Sequence, residues 1–104
     1  MFYERQNELA GVYEGGIQGY HEEKANLISQ HYPQAKNVLE LGAGGGQVAC
    51  ATARSGFNVT AVELSTALSK HIEQLASEHQ IENLRVMNDD FYTVELDEKF
   101  DVIC

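Results

Sequence analysis

The sequence has few basic residues, because only 7 lysines and arginines stand against 16 aspartates and glutamates, and the formal net charge is −9. Proteins that bind nucleic acid neutralise phosphates with lysine and arginine, so this balance disfavours DNA or RNA as a partner. A small-molecule substrate is favoured, and a protein substrate is the alternative. The sequence leaves the oligomeric state open.

Long apolar runs are also lacking. No stretch approaches the ~20 apolar residues that a helix needs to span a bilayer. Residues 1–8 have neither the basic start nor the apolar run of a secretory signal. We therefore expect a cytoplasmic protein with no membrane partner.

Cysteine is scarce, and the two cysteines, Cys50 and Cys104, lie far apart among apolar neighbours without CxxC spacing. We expect both to be buried, reduced thiols that pack as small hydrophobes. The four histidines show no HExxH spacing either, so the sequence predicts no metal site.

The order of the remaining segments indicates an α/β protein. Residues 1–20 are polar with four glycines, which predicts a short helix or loose arm before a domain over residues 21–104. A helix is expected over residues 21–31, ending at Tyr32 because the residue before Pro33 is pushed out of the helical region. Strands are expected at 37–41, 58–63, 84–87 and from 100 onward, and further helices at 47–55 and after Ser65 or Thr66.

Strands that alternate with helices predict a Rossmann-like, doubly wound parallel sheet with right-handed crossovers. About four strands and their flanking helices are present. An open parallel sheet needs helices on both faces, and the sequence stops inside its fourth strand. We expect a domain that is truncated at its C-terminus, with completion by another chain as the alternative.

A glycine-rich loop, Gly42-Ala43-Gly44-Gly45-Gly46, follows the first strand and precedes a helix. Glycines allow a sharp turn and a close approach of ligand to backbone, and the helix N-terminus behind them offers free N–H groups. The alternative is a tight turn without a ligand. The dinucleotide pattern GxGxxG fails at Gln47 when begun at Gly42, although a frame begun at Gly44 satisfies GxGxxA through Ala49. Glu40 would repel a pyrophosphate on the loop but suits an ammonium or sulfonium group.

An acidic residue, Glu63, ends the second strand, 21 positions after Gly42. A carboxylate at this place can accept both hydroxyls of a ribose. Dehydrogenases share the feature, so it predicts nucleoside binding without choosing between cofactors.

The segment from Val38 to Gly46 resembles the first motif of the class I S-adenosylmethionine-dependent methyltransferases, an acidic residue followed by GxGxG. The resemblance covers roughly residues 20–104 and the first half of that family's seven-stranded fold. It implies S-adenosylmethionine as cofactor, with the loop backbone on its methionine part. The cofactor-binding residues that it implies are Glu40, Gly42, Ala43, Gly44, Gly46, Glu63 and Leu64.

The resemblance also implies an adenine site after the third strand. Asp90 would meet the adenine amino group with Phe91 against the ring, and Asp89 would take this place if the register slips by one residue. Asp101, before the fourth strand, would have a structural role. Tyr13 and Tyr20, with His21, could form a lid over the cofactor, although ordinary packing of the arm is the alternative.

The function implied is transfer of a methyl group to a small-molecule acceptor, and no residue is identified as a catalytic base. His71 and His79 are expected on the surface or the rim of the site. Two alternatives stay open. One is an NAD-dependent oxidoreductase of Rossmann fold, and the other is a non-catalytic cofactor-binding module or fragment.

Overall fold

The computed structural model describes residues 16–104. A 3-10 turn at Gly19–Glu22 leads into helix α1, Glu23–His31. The helix ends at Tyr32, whose φ of −135° and ψ of 68° are not helical, as the following proline requires. The predicted helix is therefore confirmed, with its first turn in the 3-10 form. Residues 1–15 of the predicted arm lie outside the described residues.

The remaining elements follow the predicted alternation. They are β1 Asn37–Leu41, α2 Gln47–Arg54, β2 Asn58–Val62, α3 Thr66–Glu78, β3 Leu84–Met87 and β4 Val102–Ile103. Ser65 is the N-cap of α3, because its side chain accepts a hydrogen bond from the Leu68 N–H at 3.2 Å. Gly56, with a φ of +112°, ends the turn after α2.

The four strands form one parallel sheet in the order β3-β2-β1-β4. Val38 of β1 lies opposite Val59 of β2 on one side and Val102 of β4 on the other. The predicted Rossmann-like parallel α/β sheet is confirmed. The strand order reverses between β1 and β4, and α/β sheets bind ligands beyond the carboxyl ends of the strands at such a switch point.

The core lies between one face of the sheet and the helices. Alternate residues of the strands point into it, as the twofold period of a strand requires. Ile72 of α3 and Cys50 of α2 are fully buried against this face. The strand residues in the cluster are Val38, Val59 and Ala61, with Leu84, Val86 and Val102 packed against it. Among residues 16–104, no helix is long and apolar enough to cross a bilayer.

Asp101 fixes the start of β4 to the start of β1. Its Oδ2 accepts hydrogen bonds from the Lys36 and Asn37 N–H groups, both at 2.8 Å. These bonds, first that of Asn37, hold the pKa of the Asp101 carboxyl below its usual value. Asp101 therefore has a structural role, as the resemblance implied.

Candidate functional site

The glycine loop between β1 and α2 depends on left-handed backbone conformations. Gly42, Gly44 and Gly46 have φ values of +70°, +60° and +83°, which residues with a Cβ rarely adopt. Gly46 is the N-cap of α2 and is also closely packed. A Cβ on Gly46 would lie 2.5 Å from Cγ1 of Ile72. Two independent constraints thus require glycine at this position.

Glu63 joins the end of β2 to the glycine loop. Its Oε1 accepts a hydrogen bond from the Gly44 N–H at 2.7 Å, and its Oε2 accepts one from the Ser65 N–H at 2.8 Å. The residue is buried. An ionised carboxylate offers about four acceptor positions, so two backbone donors leave room for two further hydrogen bonds.

The end of β3 is hydrogen-bonded to the end of β2. The Asp89 N–H donates to the Glu63 carbonyl at 3.1 Å, and the Asn88 side-chain amide donates to the carbonyls of Glu63 and Leu64 at 3.1 and 3.0 Å. Asn88 in turn accepts from the Thr66 hydroxyl at 2.9 Å. The β1, β2 and β3 ends therefore form one hydrogen-bonded edge.

The acidic turn after β3 has an exposed apolar neighbour. Asp90 Oδ1 accepts from the Tyr92 N–H at 2.9 Å, and Asp89 Oδ1 accepts from the Asp90 N–H at 2.7 Å. Phe91 is 41% exposed and Leu64, across the edge, is 66% exposed. Water-exposed apolar side chains beside acceptors are the elements that a purine site needs.

Glu40, the last residue but one of β1, is buried and paired with α1. Its Oε1 lies 3.7 Å from Nζ of Lys24, while Oε2 is buried without a hydrogen-bond partner among the described residues. Burial raises the pKa of the Glu40 carboxyl, and Lys24 partly opposes that rise. A buried acceptor without a partner costs free energy until a donor or cation reaches it.

The two cysteines differ from each other. Cys50 is fully buried, as predicted, and burial raises the pKa of its thiol to about 11. The prediction was wrong for Cys104, which is exposed. Its apolar sequence neighbours suggested burial, but β4 has no further strand beyond it within residues 16–104. Cys104 follows the end of β4, and its carbonyl accepts from the Leu41 N–H at 2.8 Å, beside the glycine loop.

The structure brings most of the predicted site residues to one edge. Glu40 lies one residue before the end of β1, and the loop of residues 42–46 follows that strand. Glu63 and Leu64 follow β2, and residues 89–91 follow β3. The methyl group of Ala43 belongs to the apolar core, its N–H donates to the Val62 carbonyl at 3.3 Å, and its carbonyl accepts from the Gly46 N–H at 3.1 Å. No group of three or more metal-binding side chains occurs in the described part of the chain.

The predicted lid residues are placed only in part. Tyr13 lies outside the described residues. Tyr20 is 66% exposed, and its ring centroid lies 4.1 Å from that of His21 in the 3-10 turn. A role of either tyrosine in covering a ligand stays a prediction.

Three side chains near this edge were not predicted as site residues. They are Lys24, which pairs with Glu40, Asn88, which binds the Glu63 and Leu64 carbonyls, and His71, whose Nδ1 lies 3.0 Å from the Gly45 carbonyl oxygen. The position of Asn88 directly after a strand was a usable signal. Lys24 joins α1 to β1, and His71 joins α3 to the glycine loop; sequence spacing does not reveal such contacts.

The family comparison agrees with this geometry. A model of the methyltransferase domain matches residues 38–104, about two thirds of the chain. The chain belongs to the S-adenosylmethionine-dependent methyltransferases of class I. This membership argues against the alternative of an NAD-dependent oxidoreductase. No curated protein sequence matches the chain.

Solved methyltransferase structures share the fold. The CcbJ methyltransferase from Streptomyces caelestis is 26% identical with a TM-score of 0.76, and the match covers 91% of this chain and 40% of that one. Coclaurine N-methyltransferase, bound to N-methylheliamine and S-adenosylhomocysteine, is 26% identical with a TM-score of 0.68 over 80% of this chain and 26% of that one.

The glycopeptide N-methyltransferase MtfA, complexed with S-adenosylmethionine, is 25% identical with a TM-score of 0.68 over 79% of this chain and 34% of that one. The chain spans between about a quarter and a half of the length of the solved structures that it matches.

Proposed function

We propose that the protein transfers a methyl group from S-adenosylmethionine to a small-molecule acceptor. The observation that carries this proposal is the Glu63 carboxylate, which is hydrogen-bonded to Gly44 of the loop and still has two acceptor positions. The family membership of residues 38–104 gives this pairing its chemical meaning.

The residues of the edge fit the parts of the cofactor. The glycine loop would take the methionine part, with its backbone free of side chains. Glu63 would accept hydrogen bonds from the ribose hydroxyls. Asp90, or Asp89 in the shifted register, would accept a hydrogen bond from the adenine amino group, with Phe91 and Leu64 as apolar contacts. The negative charge of Glu40, whose Oε2 has no hydrogen-bond partner within residues 16–104, suits the positively charged amino-acid end of the cofactor.

S-adenosylmethionine supplies an electrophilic methyl group on a sulfonium. The residues of this chain would hold the cofactor in a fixed orientation toward the acceptor. Correct placement of two reactants alone can account for about 7–11 kcal/mol of a barrier. The proposal therefore needs no catalytic base within residues 16–104, and none is assigned.

The class of acceptor is supported by charge and by named relatives. A net charge of −9 disfavours nucleic acid. One relative carries the name of coclaurine N-methyltransferase and another that of a glycopeptide N-methyltransferase. Both names describe methylation on nitrogen, so amines come first in a panel of small molecules.

A label-transfer experiment tests this proposal. The chain is incubated with S-adenosylmethionine labelled on its methyl group and, separately, with small amines and sugars, a protein extract, or a mixture of DNA and tRNA. We expect label in the small-molecule fraction, and less with the Glu63→Ala variant. Label in protein or nucleic acid would contradict the acceptor class. Binding of the cofactor without transfer to any acceptor would favour the non-catalytic module instead.

A further inference from the structure

The glycine loop is held by one continuous segment of the chain, the end of β2 and helix α3. The Gly44 N–H donates to Oε1 of Glu63 at 2.7 Å, and Gly46 packs against the buried Ile72. Between these two contacts, Nδ1 of His71 lies 3.0 Å from the Gly45 carbonyl oxygen. Three successive glycines are thus each fixed by this segment.

The direction of the His71 hydrogen bond follows from its partner. A carbonyl oxygen only accepts, so Nδ1 of His71 must carry the proton and donate it. The N–H of Gly46, in the same peptide unit as the Gly45 carbonyl, donates to the Ala43 carbonyl at 3.1 Å. Both polar groups of this peptide unit are therefore bonded, and the unit cannot rotate without breaking two hydrogen bonds.

Without these hydrogen bonds, the glycines on both sides would allow the Gly45–Gly46 peptide unit to rotate. Glycine populates positive and negative φ about equally and loses more conformational freedom on ordering than any other residue. A loop with several glycines would pay this entropy when a ligand binds, unless contacts fix it beforehand. His71 is half-buried and lies within the helix, where its backbone is already ordered.

We propose that His71 is a positioning residue, which fixes the Gly45–Gly46 peptide unit and so presents the loop in the conformation that the cofactor requires. The expected effect on cofactor binding rests on the proposed function. The claim that His71 fixes the peptide unit does not depend on it. A merely structural role in α3 is the competing explanation. The helix has 13 residues, a Ser65 cap and the buried Ile72 and Leu75, so its stability depends little on a half-buried ring.

The experiment compares His71→Ala with the conservative His71→Asn, whose side-chain N–H₂ can reach a position close to that of Nδ1. Lys70→Ala, an exposed position on the same helix, is the matched control. Amide exchange of Gly44 and Gly46 is measured by NMR without ligand. Affinity for S-adenosylhomocysteine is measured by calorimetry, and the thermal midpoint is recorded for every variant.

For His71→Ala we expect faster exchange of the two loop amides and an affinity about five- to tenfold weaker, the equivalent of one hydrogen bond. His71→Asn should restore most of both, and Lys70→Ala should change neither. Unchanged loop exchange in His71→Ala, or faster exchange spread evenly over the chain with a lower thermal midpoint, would overturn the inference. Failure of the wild type to bind S-adenosylhomocysteine would instead overturn the proposed function, while the exchange experiment would still test His71.

Discussion

The backbone N–H of Gly44 and the carboxylate of Glu63 are joined by a 2.7 Å hydrogen bond that connects the loop after β1 with the end of β2. The second oxygen of the same carboxylate accepts from the Ser65 N–H at 2.8 Å. One buried side chain therefore sets the position of the loop and the start of α3. The carboxylate can also accept hydrogen bonds from a ligand, so loop geometry and ligand binding depend on the same group.

Replacement of Glu63 by Gln should weaken the binding of S-adenosylhomocysteine. The amide puts an N–H₂ donor where a backbone N–H now donates, and it offers fewer acceptor positions for a ribose. The loss should be about 1–3 kcal/mol, or roughly fivefold to 160-fold in affinity by calorimetry. Glu73→Gln, at an exposed position of α3, serves as control and should bind as the wild type does. If the two variants bind S-adenosylhomocysteine with equal affinity, Glu63 does not contact the ligand.

Replacement of Gly46 by Ala should destabilise the fold more than the same change at Gly42. Both glycines have positive φ, but a Cβ on Gly42 meets no atom within 4 Å, whereas one on Gly46 lies 2.5 Å from the Ile72 side chain. The overpacking should add about 1–3 kcal/mol to the backbone strain that both variants share. Urea denaturation measures the difference directly. Similar free energies of unfolding would show that Ile72 moves aside at no cost.

The two cysteines should differ in their reactivity toward an alkylating reagent. Burial raises the pKa of the Cys50 thiol to about 11, so about one in a thousand Cys50 thiols would be ionised at pH 8. Partial burial of the thiol also raises the pKa of Cys104, but the residue as a whole is exposed. We expect iodoacetamide to label Cys104 in the native protein and Cys50 only in urea. A native Cys104→Ser variant that takes up label at the wild-type rate would contradict this assignment.

The contribution of Asp101 to stability should depend on pH. Its hydrogen bonds with the Asn37 and Lys36 N–H groups lower the pKa of its carboxyl in the folded state. The stabilisation is therefore present above the unfolded value of about 3.8 and is lost as the pH falls through the lower folded pKa. The thermal midpoint of Asp101→Asn should lie below that of the wild type at pH 6, and the gap should narrow as the medium becomes acid. Asp97→Asn, an exposed control, should show no such trend.

The sequence was sufficient for features that depend on local pattern. β1 and β3 begin and end at the predicted residues, because apolar runs between turn residues define short strands. The carboxyl edge could be predicted as well, because parallel strands bring their ends together, and Glu63 follows from its spacing after the loop.

Contacts between distant segments could not be predicted in this way. The bond between His71 and Gly45 joins residues 26 positions apart and depends on how α3 packs over the loop. The prediction that Cys104 is buried was wrong for a related reason, because its neighbours Val102 and Ile103 look like core residues in sequence. Ile103 is in fact 63% exposed, since it lies on a strand at the edge of the four-stranded sheet.

Calorimetric titration of the chain with S-adenosylhomocysteine and, in parallel, with NAD tests the central claim most directly. Both ligands carry adenosine, so Glu63 and the turn after β3 could serve either one, and the loop with Glu40 must distinguish them. We expect saturable binding of S-adenosylhomocysteine and none of NAD. Saturable binding of NAD without any response to S-adenosylhomocysteine would contradict the account.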